Sequence, residues 1–417
     1  MTERVTWRWR LIVVATLWLA AFANWANAHA AADAAFSQWL EATWPAAREH
    51  GITRATFDAA TRGLEPDLTL PDLVIPGRPD RQPAQPEFVQ TPAQYLKESS
   101  FDKLAAQGRT LLEQHRATLT QIERRFGVPG AIVLAIWARE TGYGAAKMPY
   151  GAIRALATQA YLGRRKEQFR EEFLLALRIV QEGHVPLAAM RSSWAGAMGH
   201  PQILPSGFYK YAVDMDGDGK RDIWSSVPDA LGTIANHLVE LGWQRGQRWA
   251  YEVRVPPNTD CTIAQPEVKQ PLGTWLKQGY VPAHGRKFAS AELAEEASLL
   301  MPAGLYGPAF LTTANYFALK EYNYSDLYVL FVGHLADRIA DARPFEQPWG
   351  DVVQLPTAAM ERMQQALTRR GLYQDKIDGK AGMLTRAALG AYQKKNGLTL
   401  DCWPSQAVLD HMLKNGN

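Results

Sequence analysis

The stretch Ala131 to Glu140, AIVLAIWARE, is apolar except for its last two residues and runs directly into Thr141-Gly142-Tyr143-Gly144. A helix this apolar must be buried on most sides, and the two glycines stop it just past the carboxylate. A carboxyl group at the end of a buried apolar helix is a candidate for a raised pKa, which general acid catalysis near neutral pH requires. The plainer alternative is a carboxylate that simply reaches water where the helix surfaces. A second unusual run, Ser192 to Ser206 (SSWAGAMGHPQILPS), mixes small, polar and aromatic residues inside a helical region. Small residues let a backbone or a ligand approach closely, although a tight junction between helices needs them too. A third segment, Asp214-Met-Asp216-Gly-Asp218-Gly219-Lys220, opens like an EF-hand loop, in which alternating carboxylates surround a hard cation. Ser225 stands where the bidentate acid of such a loop belongs, so a metal-free Asp/Gly turn is an equal reading.

Other chemistries find no support. The nine histidines form no H-E-x-x-H pair, which argues against a zinc peptidase. A phosphate-cradling glycine loop, a dinucleotide fingerprint and a Gly-x-Ser-x-Gly elbow are all missing.

The elements that must position these residues are mostly helical. The chain has 417 residues, 47% hydrophobic and 21% charged, enough to bury a sizeable core. Arg4, Arg8 and Arg10 precede an apolar run from Leu11 to Phe22, and Ala26-Asn27-Ala28 offers a cleavage site, so residues 1–28 read as a secretory signal peptide. The run falls short of the roughly 20 apolar residues of a spanning helix. No cysteine near the cleavage point offers a lipid anchor, and a soluble periplasmic protein is expected. The net charge of +3 comes with no Lys/Arg stripe, so nucleic acid is not expected as a partner. Cys261 and Cys402 are far apart in sequence and are expected to be free thiols, although an oxidising compartment permits a bridge.

Residues 36–63 read as helices, and seven prolines between Pro66 and Pro92 then impose an extended strap or linker. Helical spacing runs from Gln94 to about Leu241, gives way to a β-rich insertion over 249–313, and returns from Thr313 to Arg343. Residues 346–351 read as a linker. In the tail, 352–417, Met360, Met363 and Leu367 form one apolar stripe, Ala388, Leu389 and Tyr392 a second, and Val408, Met412 and Leu413 a third. With turns at Asp378-Gly379 and Asn396-Gly397, three short helices are implied.

Taken in order, Glu140-Thr-Gly-Tyr-Gly, Ser193-Trp-Ala-Gly-Ala-Met-Gly with Gln202 and Pro205, the Tyr211 to Gly219 segment, and Ala314-Asn315-Tyr316 leading to Tyr322-Asn323 resemble the lytic murein transglycosylase B family from about Phe36 to Arg343. The tail resembles the peptidoglycan-binding domain of cell-wall enzymes through Asp378-Gly379, Gly382, Thr385-Arg386, Ala388, Tyr392-Gln393 and Gly397-Leu398. His200-Pro201 and Ile203 depart from the family's usual residues. The resemblance implies a mainly α fold: a lysozyme-like helical catalytic domain over 29–345 with the small β-rich insertion, plus a C-terminal three-helix peptidoglycan-binding domain.

The resemblance also implies non-hydrolytic cleavage of the β-1,4 bond between N-acetylmuramic acid and N-acetylglucosamine. Glu140 matches the family's single catalytic glutamate, acid toward the glycosidic oxygen and then base toward the muramoyl C6 hydroxyl. Most glycosidases use two carboxylates, with substrate-assisted exceptions, and no second one is expected here. Ser193 matches a serine that hydrogen-bonds the glutamate. Gln202, Tyr95, Arg164, Arg165, Tyr322, Asn323 and Tyr328 match groove residues; tyrosines offer sugars a flat face and a hydroxyl, and arginines suit muramoyl or peptide carboxylates. Read alone, Arg164-Arg165 is a solvated face and Tyr328 is core packing. Some relatives hold calcium in the aspartate loop, which here would draw on Asp214, Asp216, Asp218, the Lys220 carbonyl and Asp229; no cofactor is required. Peptidoglycan strands are the expected partner, with cell-wall synthesis or division complexes beyond that and a monomeric state. The tail is expected to act as a tether. A muramidase using the same acid with an activated water, and a silent wall-binding scaffold, are the rival readings.

Overall fold

The apolar run ending at Glu140 forms the Gly130–Thr141 helix, in which Ile132 to Ala138 are all buried. Helices Glu98–Gln114, Arg116–Phe126, Val227–Glu240 and Asp326–Ala340 pack around it, which explains why it tolerates no polar face. Past Thr141 the chain turns through three successive left-handed residues, Gly142, Tyr143 and Gly144, with φ of 57°, 58° and 82°. Tyr143 carries a side chain in this costly conformation and is held there by donating to the Leu104 carbonyl at 2.8 Å.

The computed structural model describes residues 34–78, 86–341 and 343–415. The leader assigned to 1–28 lies outside the described residues. The described chain divides into two units: residues 34–78 with Met148–Tyr209 and Asp218–Ser225 form one, and 86–147, Lys210–Gly217 and 226–415 form the other.

In the first unit, helices Ala152–Leu162 and Lys166–Gln181 pack together, and the short helices Trp44–Glu49 and Arg54–Thr61 lie against the second of them. Residues 66–78, the first part of the proline-rich segment, form a strap over the first, whereas Pro86–Val89 and Pro92–Tyr95 are short helices of the other unit. Leu70 and Leu73 pack on Ala155, the Val74 amide donates to the Leu162 carbonyl at 2.7 Å, and the Asp67 amide donates to Thr158 Oγ1 at 2.9 Å.

In the second unit the helical core is followed by an antiparallel five-stranded sheet in the order Lys269–Pro271, Glu296–Leu300, Ala309–Thr312, Ala250–Arg254, Val281–Pro282. The tail folds as helices Thr357–Arg369, Met383–Lys395 and Gln406–Lys414 around Met360, Met363, Leu389, Tyr392, Leu409 and Met412. Its fully buried Gln364 accepts from the Asp378 and Gly379 amides at 3.0 and 2.8 Å and so fixes the turn between the first two helices.

Two expectations are revised. Cys261 and Cys402 are not free thiols: they form a disulfide with a Cα separation of 6.1 Å across 141 residues of sequence. The tail's second helix packs beside the Cys261–Ile263 turn, and Gly390 leaves room there, since a Cβ on it would lie 2.3 Å from Cys402 Sγ. The stretch read as a linker is itself bound to the sheet, because the Glu346 and Gln347 amides each donate to the Glu252 carboxylate at 3.0 Å. The tail is a docked module. Met383 joins the main helical core, Cys402 joins the core under the sheet, and Lys394 pairs with Asp260 at 2.7 Å.

Candidate active site

Glu140 sits on the last turn of its buried helix, and the Tyr328 hydroxyl donates to its Oε1 at 2.5 Å. Tyr328 lies in the first turn of Asp326–Ala340, where Ser325 caps the helix by accepting from the Tyr328 amide. A side chain legible as core is therefore both buried and aimed at the acid. One carboxyl oxygen is thereby fixed, which sets the rotation of the group toward anything bound beside it.

Aromatic rings continue away from this pair. Tyr322, at the end of Ala314–Tyr322, lies parallel to Tyr328 with centroids 6.4 Å apart; His237 follows at 4.4 Å, and Tyr211 stacks on His237 at 3.7 Å. Burial first, and the negative charge of Glu140 second, push the Tyr322 and Tyr328 phenols well above their ordinary values, so both stay protonated donors. Burial, assisted by the Lys210 charge, pushes His237 down to about 4, so a neutral imidazole occupies the stack. Beside the acid, the Arg139 guanidinium lies 5.2 Å from the Tyr95 ring centroid and 5.3 Å from that of Phe331. Tyr95 is buried, on the Thr91-capped turn Pro92–Tyr95, and Asn323 terminates the Tyr322 helix, its carbonyl accepting from the Ser325 amide at 2.8 Å.

The remaining groove candidates belong to the other unit. Ser193 Oγ accepts from the amides of Ala195 and Ala197 at 3.3 and 3.2 Å, organising a tight loop. The small residues of this loop are required by packing: a Cβ on Gly196 would lie 2.2 Å from Leu156 Cδ2, and one on Gly199 would lie 2.5 Å from the Ile223 carbonyl. Gln202 adopts a left-handed φ of 53° and donates from Nε2 to the Gly199 carbonyl at 2.9 Å. The left-handed backbone at this non-glycine residue is costly, and the side-chain bond back to Gly199 helps to hold it. Arg164 and Arg165 are not an unanchored charged face, since both pair with the buried Asp72, at 3.1 and 3.8 Å.

In the acidic loop, Asp214, Asp216 and Asp229 bring carboxylate oxygens within 4.8 Å of one another. Asp229 is fully buried and accepts from the Met215 and Asp216 amides at 2.7 and 3.3 Å; Asp214 accepts from the Gly217 amide at 2.6 Å. Asp218 accepts from the Lys220 amide at 2.8 Å. Ser225, in the EF-hand's closing position, donates instead to Asp222. Three hard oxygen donors converging in this way suit Ca²⁺.

Sequence reasoning missed Asp72, Arg139, Tyr211 and His237. Arg139, Tyr211 and His237 lie on helices and Asp72 in a bend of the proline-rich strap, and aromatic or charged residues there carry no signal separating core, surface and site until the elements are packed.

Residues 35–337 match the transglycosylase SLT domain family, and residues 357–412 match a peptidoglycan binding domain family. The chain is 29% identical over 315 residues to the membrane-bound lytic murein transglycosylase B of Escherichia coli strain K12, covering 71% of this chain and 80% of that one. Among solved structures it is similar to SltB3 of Pseudomonas aeruginosa in complex with NAG-anhNAM-pentapeptide, with 40% identity, a TM-score of 0.78, and coverage of 91% of this chain and 99% of that one. It is also similar to the lytic transglycosylase Slt35 of Escherichia coli in complex with calcium, with 26% identity, a TM-score of 0.52, and coverage of 60% and 79%.

Proposed function

Because the chain belongs to the lytic murein transglycosylase family, we propose that it cleaves the β-1,4 bond between N-acetylmuramic acid and N-acetylglucosamine of peptidoglycan without consuming water. The observation that carries this is the carboxyl group of Glu140 at the end of a buried apolar helix, held by the Tyr328 hydroxyl. Glu140 gives its proton to the glycosidic oxygen as the C1–O bond breaks. Its carboxylate then takes the proton of the muramoyl C6 hydroxyl as O6 bonds to C1, which closes the 1,6-anhydro ring and restores the acid. Tyr328 serves both steps: its hydrogen bond stabilises the carboxylate that forms and holds the carboxyl group at one angle throughout. Muropeptides released from purified sacculi should carry anhydromuramoyl ends, one water lighter than reducing ends by mass spectrometry. Reducing ends would instead mean a muramidase, and no release would mean a binding scaffold.

Loss of the Tyr328 hydroxyl should cost turnover more than binding. Tyr328→Phe keeps the ring and removes only a bond to a charged group, for which about 2 kcal/mol is typical, so kcat should fall about thirtyfold with little change in KM. Initial rates on a soluble glycan check this, and unchanged kcat would remove Tyr328 from the mechanism.

A periplasmic location is supported by the leader signature in the sequence and by the Cys261–Cys402 bridge, which suits an oxidising compartment. Among the described residues no helix is long and apolar enough to cross a membrane. The module, with its family match, supports engagement of the glycan polymer itself.

Calcium is a structural element in this reading, held by Asp214, Asp216 and Asp229, with Asp218 and the Lys220 carbonyl as the further candidates on that loop. It would neutralise the loop's carboxylates and take no part in the bond change. At a hundredfold excess over its Kd, Ca²⁺ should stabilise the protein by about 2.7 kcal/mol, read as a rise in melting temperature. Asp216→Asn should abolish the rise; an equal rise in that variant would place the ion elsewhere.

A further inference from the structure

The C-terminal module contributes a charge to the underside of the acid's neighbour. Arg386, on Met383–Lys395, donates from Nη2 to Asp326 Oδ2 at 2.9 Å, and the two side chains are only 7% and 8% exposed. Asp326 is the first residue of the helix that carries Tyr328 two positions later. It also accepts from Lys320 Nζ at 2.6 Å and from the Tyr316 hydroxyl at 2.7 Å. Burial alone would push the Asp326 carboxyl up, but these cations and the phenol outweigh it and hold the group well below the ordinary carboxylate range. Asp326 is therefore an ionised anchor in the first helical turn, where a negative charge also favours the helix dipole.

A module that only tethers acts by raising local concentration on the polymer and requires no contact with the catalytic parts. This one is built otherwise. The disulfide at Cys402 and the Lys394–Asp260 pair fix it to the β insertion, and Met383, three residues before Arg386, enters the main helical core. Arg386 is presented to Asp326 by a docked body, with its other nitrogen, Nη1, donating to the module's own Ala381 carbonyl.

We infer that Arg386 is a positioning residue for the transglycosylase reaction: by closing the ion pair on Asp326 it holds the first turn of the Tyr328 helix, and through it the Tyr328 hydroxyl on Glu140. The module is then part of the catalytic support as well as a wall-binding element. This rests on the transglycosylase reading above. Lys320 remains on Asp326 when Arg386 is replaced, so the turn shifts without the helix being lost.

The test compares Arg386→Met and Arg386→Lys with the unmodified full-length protein on a short soluble glycan, a substrate that gains nothing from tethering. A small misplacement of an acid's partner can cost up to a hundredfold, and with Lys320 still in place Arg386→Met should lower kcat by about tenfold with KM nearly unchanged. Arg386→Lys, which keeps the charge, should recover most of that loss. Hydrogen exchange supplies a readout independent of activity: amides at 325–330 should exchange about tenfold faster in Arg386→Met while those around Leu389 keep their protection. Unchanged kcat on the short glycan, with losses confined to sacculi, would overturn the inference and leave a plain tether. Loss of protection across the whole module without rescue by lysine would also overturn it, since Arg386 would then serve only its own domain. Should the unmodified protein form no anhydro product, the transglycosylase reading fails on its own, and the exchange experiment still decides whether Arg386 orders the Tyr328 turn.

Discussion

Glu140→Gln is expected to end the release of anhydromuramoyl fragments from sacculi, with a rate loss of at least about a thousandfold, within the range that general acid and base roles carry. The substitution is close to isosteric. It keeps an acceptor oxygen for the Tyr328 hydroxyl while removing the only proton that can pass between the glycosidic oxygen and the C6 hydroxyl. Because one carboxyl group serves both steps, neither half reaction survives, and no partial product should accumulate. Binding to sacculi should persist, since the module's core and its turn at Asp378-Gly379 are untouched. Co-sedimentation with sacculi alongside product analysis separates these two effects. Residual anhydro product at near-normal rate would move the acid to another residue.

The second large effect is expected from the disulfide. Cys261 and Cys402 close a loop of 141 residues, for which the chain-entropy model gives about 5 kcal/mol of stabilisation. Removing it with Cys402→Ser should lower the melting temperature of the β insertion and the module together, because the cysteines join the core beneath the sheet to the module. Calorimetry should show this as a separate, earlier transition, with the helical core melting near its original temperature. Dithiothreitol acting on the unmodified protein should reproduce the change. An unaltered melting curve in both cases would mean that the Lys394–Asp260 pair and the buried Met383 contact hold the module without the bridge.

What was legible in the sequence was what periodicity and local chemistry encode. Ala131 to Glu140 reads as a buried helix because nothing polar interrupts it, and the burial of Ile132 to Ala138 follows directly. The tail's three apolar stripes become the three helices of the module, and Asp378-Gly379 becomes its turn. At the end of the buried helix Glu140 stands out only as a candidate, because a carboxylate at a helix end also simply reaches water, and the family resemblance is what singles it out as the acid. Its partner carries no such local mark: Tyr328 lies 188 residues away on another apolar helix, reads there as packing, and was reached only through the family resemblance, as a groove residue and not as the partner of Glu140.

The same reason hides His237 and Tyr211, which stack in line with Tyr322, a residue reached only through the resemblance; three separate segments assemble the row. The disulfide was misread because sequence distance says nothing about spatial distance across a docked interface. Residues 346–351, flanked by prolines, read as a linker, yet backbone amides at its start bind Glu252, a contact that leaves no mark on side-chain composition. In the acidic loop, EF-hand spacing points to Ser225, whereas the buried Asp229 that closes the cluster was reached only through the family resemblance.

In the proposed reaction the muramoyl C6 hydroxyl, and not water, replaces the leaving sugar under the control of Glu140. Digestion of sacculi in ¹⁸O-labelled water, followed by mass spectrometry of the released muropeptides, tests it most directly. The expected muramoyl ends are one water lighter than reducing ends and carry no ¹⁸O, formed by the unmodified protein and absent with Glu140→Gln. Reducing ends bearing ¹⁸O at C1 would contradict it and make this chain a hydrolase built on the same acid.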